Sequence, residues 1–295
     1  MTPLHLALAL LVTGIWGTNF VVIKYGLSEF PPLLFATLRF AASAFPWIFF
    51  IKRPALPWRV LITFGCLLGA GQFGLLFLAM RNDVPPGLAS LLMQTQVFFT
   101  IIISAIFLGE RVVLTQIVAL LLAFVGIGLI GWRTLTSTDT TVTTKGFLLT
   151  LGAAFSWALS NQVVKRAGRV DMLGFMVWGS LFASIALLAL SLLTENWVTV
   201  PTMLWHTHLA AWVAVAWQAI GNTLIGFGIW NWLIGRYPAA TVTPMALLVP
   251  VFGMSASSVL LHEPLPLWKL ITAGLVFAGL TLNFLAVRSK THRRS

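Results

Sequence analysis

Ten apolar stretches of about 20 residues follow one another with only short breaks between them, and no other feature of this sequence limits the fold so severely. They run over roughly 4–26, 31–51, 59–80, 87–109, 113–132, 146–167, 172–194, 209–234, 239–261 and 266–287. A helix needs about 20 apolar residues to cross the hydrocarbon of a bilayer. The breaks carry turn chemistry: Glu29-Phe-Pro-Pro32, Lys52-Arg-Pro-Ala-Leu-Pro57, Arg81-Asn-Asp-Val-Pro-Pro86, Gly109-Glu-Arg111 and His262-Glu-Pro-Leu-Pro266. The longest are the Thr-rich 133–145 and the segment 195–208, and neither holds a soluble domain. Charged residues make up 8% of the chain, against about 25% in a soluble domain. The surface of a water-soluble fold could not be covered, so the chain is read as an all-α integral membrane protein with ten spans.

Charge then sets the orientation. The net charge of +11 does not call for nucleic acid, because basic residues in loops and tail are what orient a membrane protein. With the N-terminus inside, the cytoplasmic side holds Lys52, Arg53, Arg59, Arg111, Lys165, Arg166, Arg169, Arg236, Arg288, Lys290, Arg293 and Arg294. The other side holds Lys24, Arg81, Arg133, Lys145 and Lys269, and Arg39 lies inside a helix. Both termini are therefore expected in the cytoplasm, and a bacterial inner membrane is the expected location. The first segment has no basic leader region and no clear A-x-A site, so it is expected to persist as the first helix. Trp58, Trp132, Trp197, Trp205 and Trp268 fall near segment ends and read as interfacial anchors. The lone Cys66 implies no disulfide framework.

The chain also repeats itself. Trp16-Gly-Thr-Asn-Phe-Val-Val-Ile-Lys24 returns 141 residues later as Trp157-Ala-Leu-Ser-Asn-Gln-Val-Val-Lys165. Pro85, Glu110 and Gly126 match Pro238, Glu263 and Gly279 at an offset of 153. The difference of 12 fits an insertion before or within the second half's third helix. The expected units are 1–135 and 145–295, five helices each. An odd number of spans per unit forces opposite insertion, so the halves are expected to be inverted repeats around a central cavity.

These residues resemble the drug/metabolite transporter superfamily, and within it the EamA-like ten-helix exporters. The resemblance rests on the opening motif, on Leu38-Arg-Phe40, and on the run from Gly87-Leu-Ala-Ser through Leu108-Gly-Glu-Arg111. In the second half it rests on Phe155-Ser-Trp157, Pro244-Met-Ala-Leu-Leu-Val-Pro250, Leu261-His-Glu263 and the glycine-bearing last helix. It covers nearly the whole chain and is nearest to bacterial amino-acid exporters of the EamA and YddG type. It implies a ten-helix bundle around a central cavity, and export of amino acids and related small metabolites.

Polar groups at the bilayer centre are costly and tend to serve function. Near-central positions are Trp16, Asn19, Arg39, Gln72, Gln94, Gln96, Trp157, Asn161, Trp217, Gln218 and Asn222. Amides donate to a carboxylate and accept from an ammonium, and Trp faces hold apolar or cationic groups. Each amide can equally serve as an interhelical hydrogen bond. Arg39 can meet a substrate carboxylate, or satisfy backbone carbonyls and snorkel. Pro244 and Pro250 interrupt the ninth helix and Pro46 the second, as hinges or as shapers of the cavity. Gly65-x-x-x-Gly69 and Ala70-x-x-x-Gly74 suit close packing of the third helix.

All seven carboxylates, Glu29, Asp83, Glu110, Asp139, Asp171, Glu195 and Glu263, fall in loops or at helix ends. His5, His206, His208, His262 and His292 are also peripheral. A neutral or zwitterionic cargo is expected, with no proton relay through the centre. Glu110 and Glu263 are expected to cap helix ends or to pair with Arg111 and Lys269. No metal site, cofactor or catalytic motif such as H-E-x-x-H or G-x-S-x-G is present, so an enzyme is not expected. The main reading is a secondary transporter working by alternating access on a small-molecule substrate. Other neutral metabolites or drugs, a channel and a lipid scramblase are the alternatives. The oligomeric state is left open, a monomer being plausible.

Overall fold

A computed structural model describes residues 1–108, 112–136, 142–168, 170–237 and 242–292, with the side chains of 108, 231, 234–235, 243–244 and 286–292 outside the description. The described chain is helical, and the apolar runs become its spans. They are α1 (Pro3–Glu29), α2 (Pro32–Ala44), α3 (Trp58–Asn82), α4 (Pro86–Leu92 and Thr95–Leu108) and α5 (Leu114–Thr136). The second five are α6 (Thr144–Ala167), α7 (Met172–Thr194), α8 (Leu209–Arg236 in three segments), α9 (Thr243–Leu248, then Val249–Leu261) and α10 (Leu267–His292). Among the described residues nine helices are long and apolar enough to cross a membrane, and the apolar helix Met245–Leu261 supplies the tenth position.

The ends of the spans follow local chemistry. Thr2 caps α1, and Asp171 caps α7 by accepting from the amides of Leu173 and Gly174, both at 3.1 Å. Proline opens α2 and α4 at their first turn, where the missing donor costs nothing. α2 stops at Ala44, earlier than the expected 51, because Pro46 denies the next turn a donor; a short 3₁₀ turn, Trp47–Phe49, follows. α7 has 23 residues against 13 for α2. Nearly all of the second half's extra length lies there, although the segment after α7 also forms a short helix, Val200–His206.

The helix pairs have an internal order. α2 packs on α7, and α5 on α10. α1 packs on α9 and on the middle of α8; α6 packs on α4 and on the middle of α3. α3 packs on α7, and α8 on α2. Exchanging every helix for the one five places on turns this set of pairs into itself. Five is odd, so partners related in this way run oppositely through the bilayer.

Lipid is as apolar as the helices, so close van der Waals contact has to hold such a bundle together. At α3–α7 a Cβ on Gly65 would stand 2.5 Å from the Gly179 carbonyl, and one on Gly69 2.5 Å from the Ala183 Cβ. The expected small-residue stripe is the contact itself. Side chains such as Leu121, Phe124, Val125 and Leu193 remain exposed and face the membrane. One large core runs through most of the spans, and a smaller one, with Ala9, Val12, Trp230, Leu233 and Val242, joins α1, α8 and α9 near the N-terminal end.

Candidate functional site

Four helices depart from regular α geometry along part of their length. α3 is π-helical over Leu67–Gly74, and α8 over Trp217–Ile225. α4 breaks at Met93 and Gln94, and α9 begins as a 3₁₀ segment, Thr243–Leu248. These are corresponding helices of the two halves. Widened or tightened turns disturb the i→i−4 pattern and recur at functional sites. At membrane depth such backbone is tolerated only where protein or a cavity surrounds it. Side chains meet the disturbed carbonyls here. Ser156 Oγ donates to Leu67 O at 2.8 Å, Trp16 Nε1 to Asn222 O at 3.2 Å, and Thr223 Oγ1 to Gln218 O at 2.9 Å. α1 thus serves the widened turn of α8, and α6 that of α3.

Several predicted residues are brought together around these segments. Asn19 and Gln218 form a reciprocal amide pair: Asn19 Nδ2 donates to Gln218 Oε1 at 3.3 Å, and Gln218 Nε2 to Asn19 Oδ1 at 2.7 Å. Both are buried. Asn161 Nδ2 donates to Gln96 Oε1 at 2.9 Å, tying α6 to α4. Trp16 is half-buried and touches the rings of Phe227 and Trp230, each at 5.1 Å between centroids. Asn222 is buried on the same segment as Gln218. Gln94 is buried at the break in α4, and the Thr95 hydroxyl beside it has no hydrogen-bond partner. Trp157 is half-buried against the large core.

Others stand apart. Trp217 is 38% exposed, on the same helix face as the exposed Val213 and Ile220. Arg39 is fully buried, with its guanidinium carbon 3.6 Å from the Phe73 ring centroid and 4.9 Å from that of Phe40. Its Nε and Nη1 have no hydrogen-bond partner, and neither has Oε1 of the buried Gln72. Pro250 is buried in the first turn of Val249–Leu261, where the 3₁₀ segment gives way to α-helix. The Pro244 side chain lies outside the described residues. Gln162 extends the polar seam between α4 and α6, donating to Ser104 Oγ at 3.0 Å and Thr100 O at 3.4 Å. Its position beside Asn161 in an apolar run was the available signal, and the sequence reading passed over it.

Arg39 apart, the charged groups that join the helices stay at their ends. Lys24 Nζ donates to the carbonyls of Met80 and Arg81, at 3.2 and 2.9 Å, and Arg81 Nη1 donates to the carbonyls of Leu27, at 2.6 Å, and Phe30. α1 and α3 thereby cap each other's C-termini. Glu195 accepts from the amides of Leu33 and Leu34 at 2.7 and 2.9 Å and so holds the start of α2. Glu263 accepts from the Gly87 amide at 2.9 Å and from the Ser257 hydroxyl, and pairs with Lys269 at 3.0 Å. Both parts of the expectation for Glu263, capping and pairing, are met. Glu110, Arg111 and Asp139 lie outside the described residues. Among the described residues no cluster of His, Cys, Asp and Glu could hold a metal ion.

Comparison with known proteins identifies the lineage. Residues 4–132 and 144–285 match the EamA-like transporter family. The chain is 39% identical to a protein of Salmonella typhimurium named "Probable amino-acid metabolite efflux pump", covering 97% of each chain. It is 38% identical to the Escherichia coli K12 protein of the same name, covering 95% of each. A solved crystal structure with 19% identity superposes with a TM-score of 0.64, covering 97% of this chain and 98% of the other, which supports the fold. This ten-helix protein therefore belongs to the EamA-like transporter family.

Proposed function

We propose that this transporter moves amino acids and related small metabolites outward across a bacterial inner membrane by alternating access. The observation that carries the reading is a centre that, among the described residues, holds no carboxylate. Buried amides and half-buried indoles gather at the irregular turns of corresponding helices, while the described carboxylates sit at helix ends. A zwitterion needs both donors and acceptors at one place, and amides offer both. The names of the two relatives point to the same cargo. Trp16, Asn19, Gln96, Asn161, Gln218 and Asn222 are the binding groups we assign to the centre.

The two inverted units, 1–135 and 145–295, are the moving parts, and the contacts between them exchange as the site opens to either side. The excess of Lys and Arg on one set of loops and the tail supports a cytoplasmic location for both termini. The test is uptake of a labelled amino-acid panel by purified protein in liposomes, at equal pH and without ion gradients. Saturable, competable uptake above that of lipid-only vesicles is expected. Uptake that appears only under a pH gradient would overturn the uncoupled, proton-free part of the reading. No uptake of any amino acid under either condition would overturn the cargo assignment.

A further inference from the structure

We infer that the Arg39 guanidinium receives the carboxylate of the transported molecule and that Gln72 Oε1 accepts from its ammonium group. The ligand class is a free α-amino acid. This deepens the transport reading and rests on it.

Arg39 lies seven residues beyond the start of α2, about 10 Å along the axis, and so inside the hydrocarbon region. The residue is 1% exposed. Its face is occupied, because the guanidinium carbon stands 3.6 Å from the Phe73 centroid. Its N–H donors point outward in the guanidinium plane, so ring contact does not satisfy them. Nε and Nη1 have no acceptor. The carboxylate that holds α2, Glu195, is fully engaged at the helix start with the amides of Leu33 and Leu34 and with Ser191 Oγ at 2.6 Å.

A buried charge without a counter-charge is strongly unfavourable, and polar groups retained in that state inside a membrane mark substrate sites. Gln72 immediately precedes Phe73 on the π-helical segment of α3, which packs against α2. Its Oε1 is buried and also lacks a partner. One cationic donor on α2 and one carbonyl acceptor on the adjoining segment of α3 are thus left open. A lone anion would answer only the first and a lone cation only the second; an amino-acid head group answers both.

The experiment uses full-length protein in liposomes and the labelled amino acid it takes up best. Competitors are that amino acid unlabelled, its carboxamide, its decarboxylated amine and its N-acetyl derivative. All three altered forms are expected to compete at least about tenfold more weakly, the order of one charge-assisted hydrogen bond. Arg39→Met is expected to raise KM by at least about tenfold and to erase the discrimination against carboxamide and amine. Gln72→Leu is expected to erase discrimination against the N-acetyl form. Competition by carboxamide and amine equal to that of the parent amino acid in the wild type would overturn the proposal while leaving the transport reading intact. This result needs no folded variant. An Arg39→Met protein with wild-type KM would overturn it as well. Absence of all amino-acid uptake would instead sink the transport reading itself.

Discussion

Lys269→Met tests the energetics of the end of the bundle farthest from the N-terminus. The Lys269 and Glu263 side chains are 2% and 6% exposed, and their charged atoms stand 3.0 Å apart. Removing one partner of a buried ion pair costs about 3–5 kcal/mol, because the other charge stays buried. The two single variants should differ. Without Lys269, the Glu263 carboxylate still accepts from the Gly87 amide and the Ser257 hydroxyl. The loss belongs near the lower limit, about 3 kcal/mol. Glu263→Ala leaves the ammonium with only the Pro264 carbonyl, at 3.0 Å, and also strips the Gly87 amide of its acceptor. The loss then approaches about 5 kcal/mol. At roughly 2 °C per kcal/mol for a chain of this size, the melting midpoints in detergent should fall by about 6 and about 10 °C. The pair Glu263→Gln with Lys269→Met keeps an acceptor for Gly87 and removes both charges, so it should fall within about 1 kcal/mol of wild type. Thermal unfolding of these proteins and of Glu263→Gln alone, followed by size-exclusion or intrinsic fluorescence, completes the cycle. If the two single losses simply add in a double variant, or if Lys269→Met costs less than about 1 kcal/mol, the ion pair does not hold this end.

Five further substitutions test other contacts of the bundle. Asn19→Leu should abolish or severely reduce saturable uptake while lowering stability by only about 1 kcal/mol, the scale of interhelical hydrogen bonds in membranes. Gln218→Leu should match it, and the double variant should be no worse than either single, measured as KM and Vmax in liposomes beside a melting curve. Glu195→Ala removes the acceptor of the Leu33 and Leu34 amides and should cost about 1–2 kcal/mol as a lost cap, with KM unchanged. Gly69→Leu should lower the yield and melting midpoint of folded protein, since even a Cβ there would meet Ala183 at 2.5 Å. Gly14→Ala, whose Cβ meets nothing within 4 Å, should be neutral or stabilising by up to about 1 kcal/mol.

The spans were legible because the bilayer demands a long apolar run for each helix, and that demand is local in sequence. The small-residue stripe Gly65/Gly69 was legible for the same kind of reason, since close approach has a composition. Lys24 shows where legibility stops. It recurs in the repeat as part of one motif with Trp16 and Asn19, yet its amine reaches the end of α3 instead of the centre, at carbonyls 56 and 57 residues away in sequence. The Glu195 contacts with Leu33 and Leu34 span about 160 residues, and nothing local announces them. The widened turns of α3 and α8 were invisible too: a π segment is an accommodation between helices, and its sequence reads as ordinary apolar helix. At the centre, residue type was enough to nominate Asn19, Gln96, Asn161 and Asn222, because amides are rare there. It could not separate Trp16, which bonds to the widened turn, from Trp217, which faces outward, since both sit in similar apolar runs.

Charge and softness are divided along the bundle in a way that bears on motion. At the end far from the N-terminus, Lys24, Arg81, Glu195 and Glu263 each bind helix ends through charged hydrogen bonds, and Lys269 pairs with Glu263. Such bonds are short, strong and discrete, so they are either made or broken. The middle is held by neutral amide pairs and by turns already displaced from α geometry, which shift at smaller cost. Opening at the far end thus requires Glu263 to release Gly87 of α4, because that carboxylate joins the second half of the chain to the first. At the other end α1, α8 and α9 meet around the small cluster of Ala9, Val12, Trp230 and Val242, with the His5 ring hydrogen-bonded to the Tyr237 hydroxyl. Loosening the far end without emptying its charges, as Ser257→Ala would by removing one donor to Glu263, should therefore speed exchange of cargo in liposomes before it lowers the melting midpoint appreciably. A variant that melts lower yet exchanges no faster would separate these contacts from the transport cycle and leave them as architecture alone.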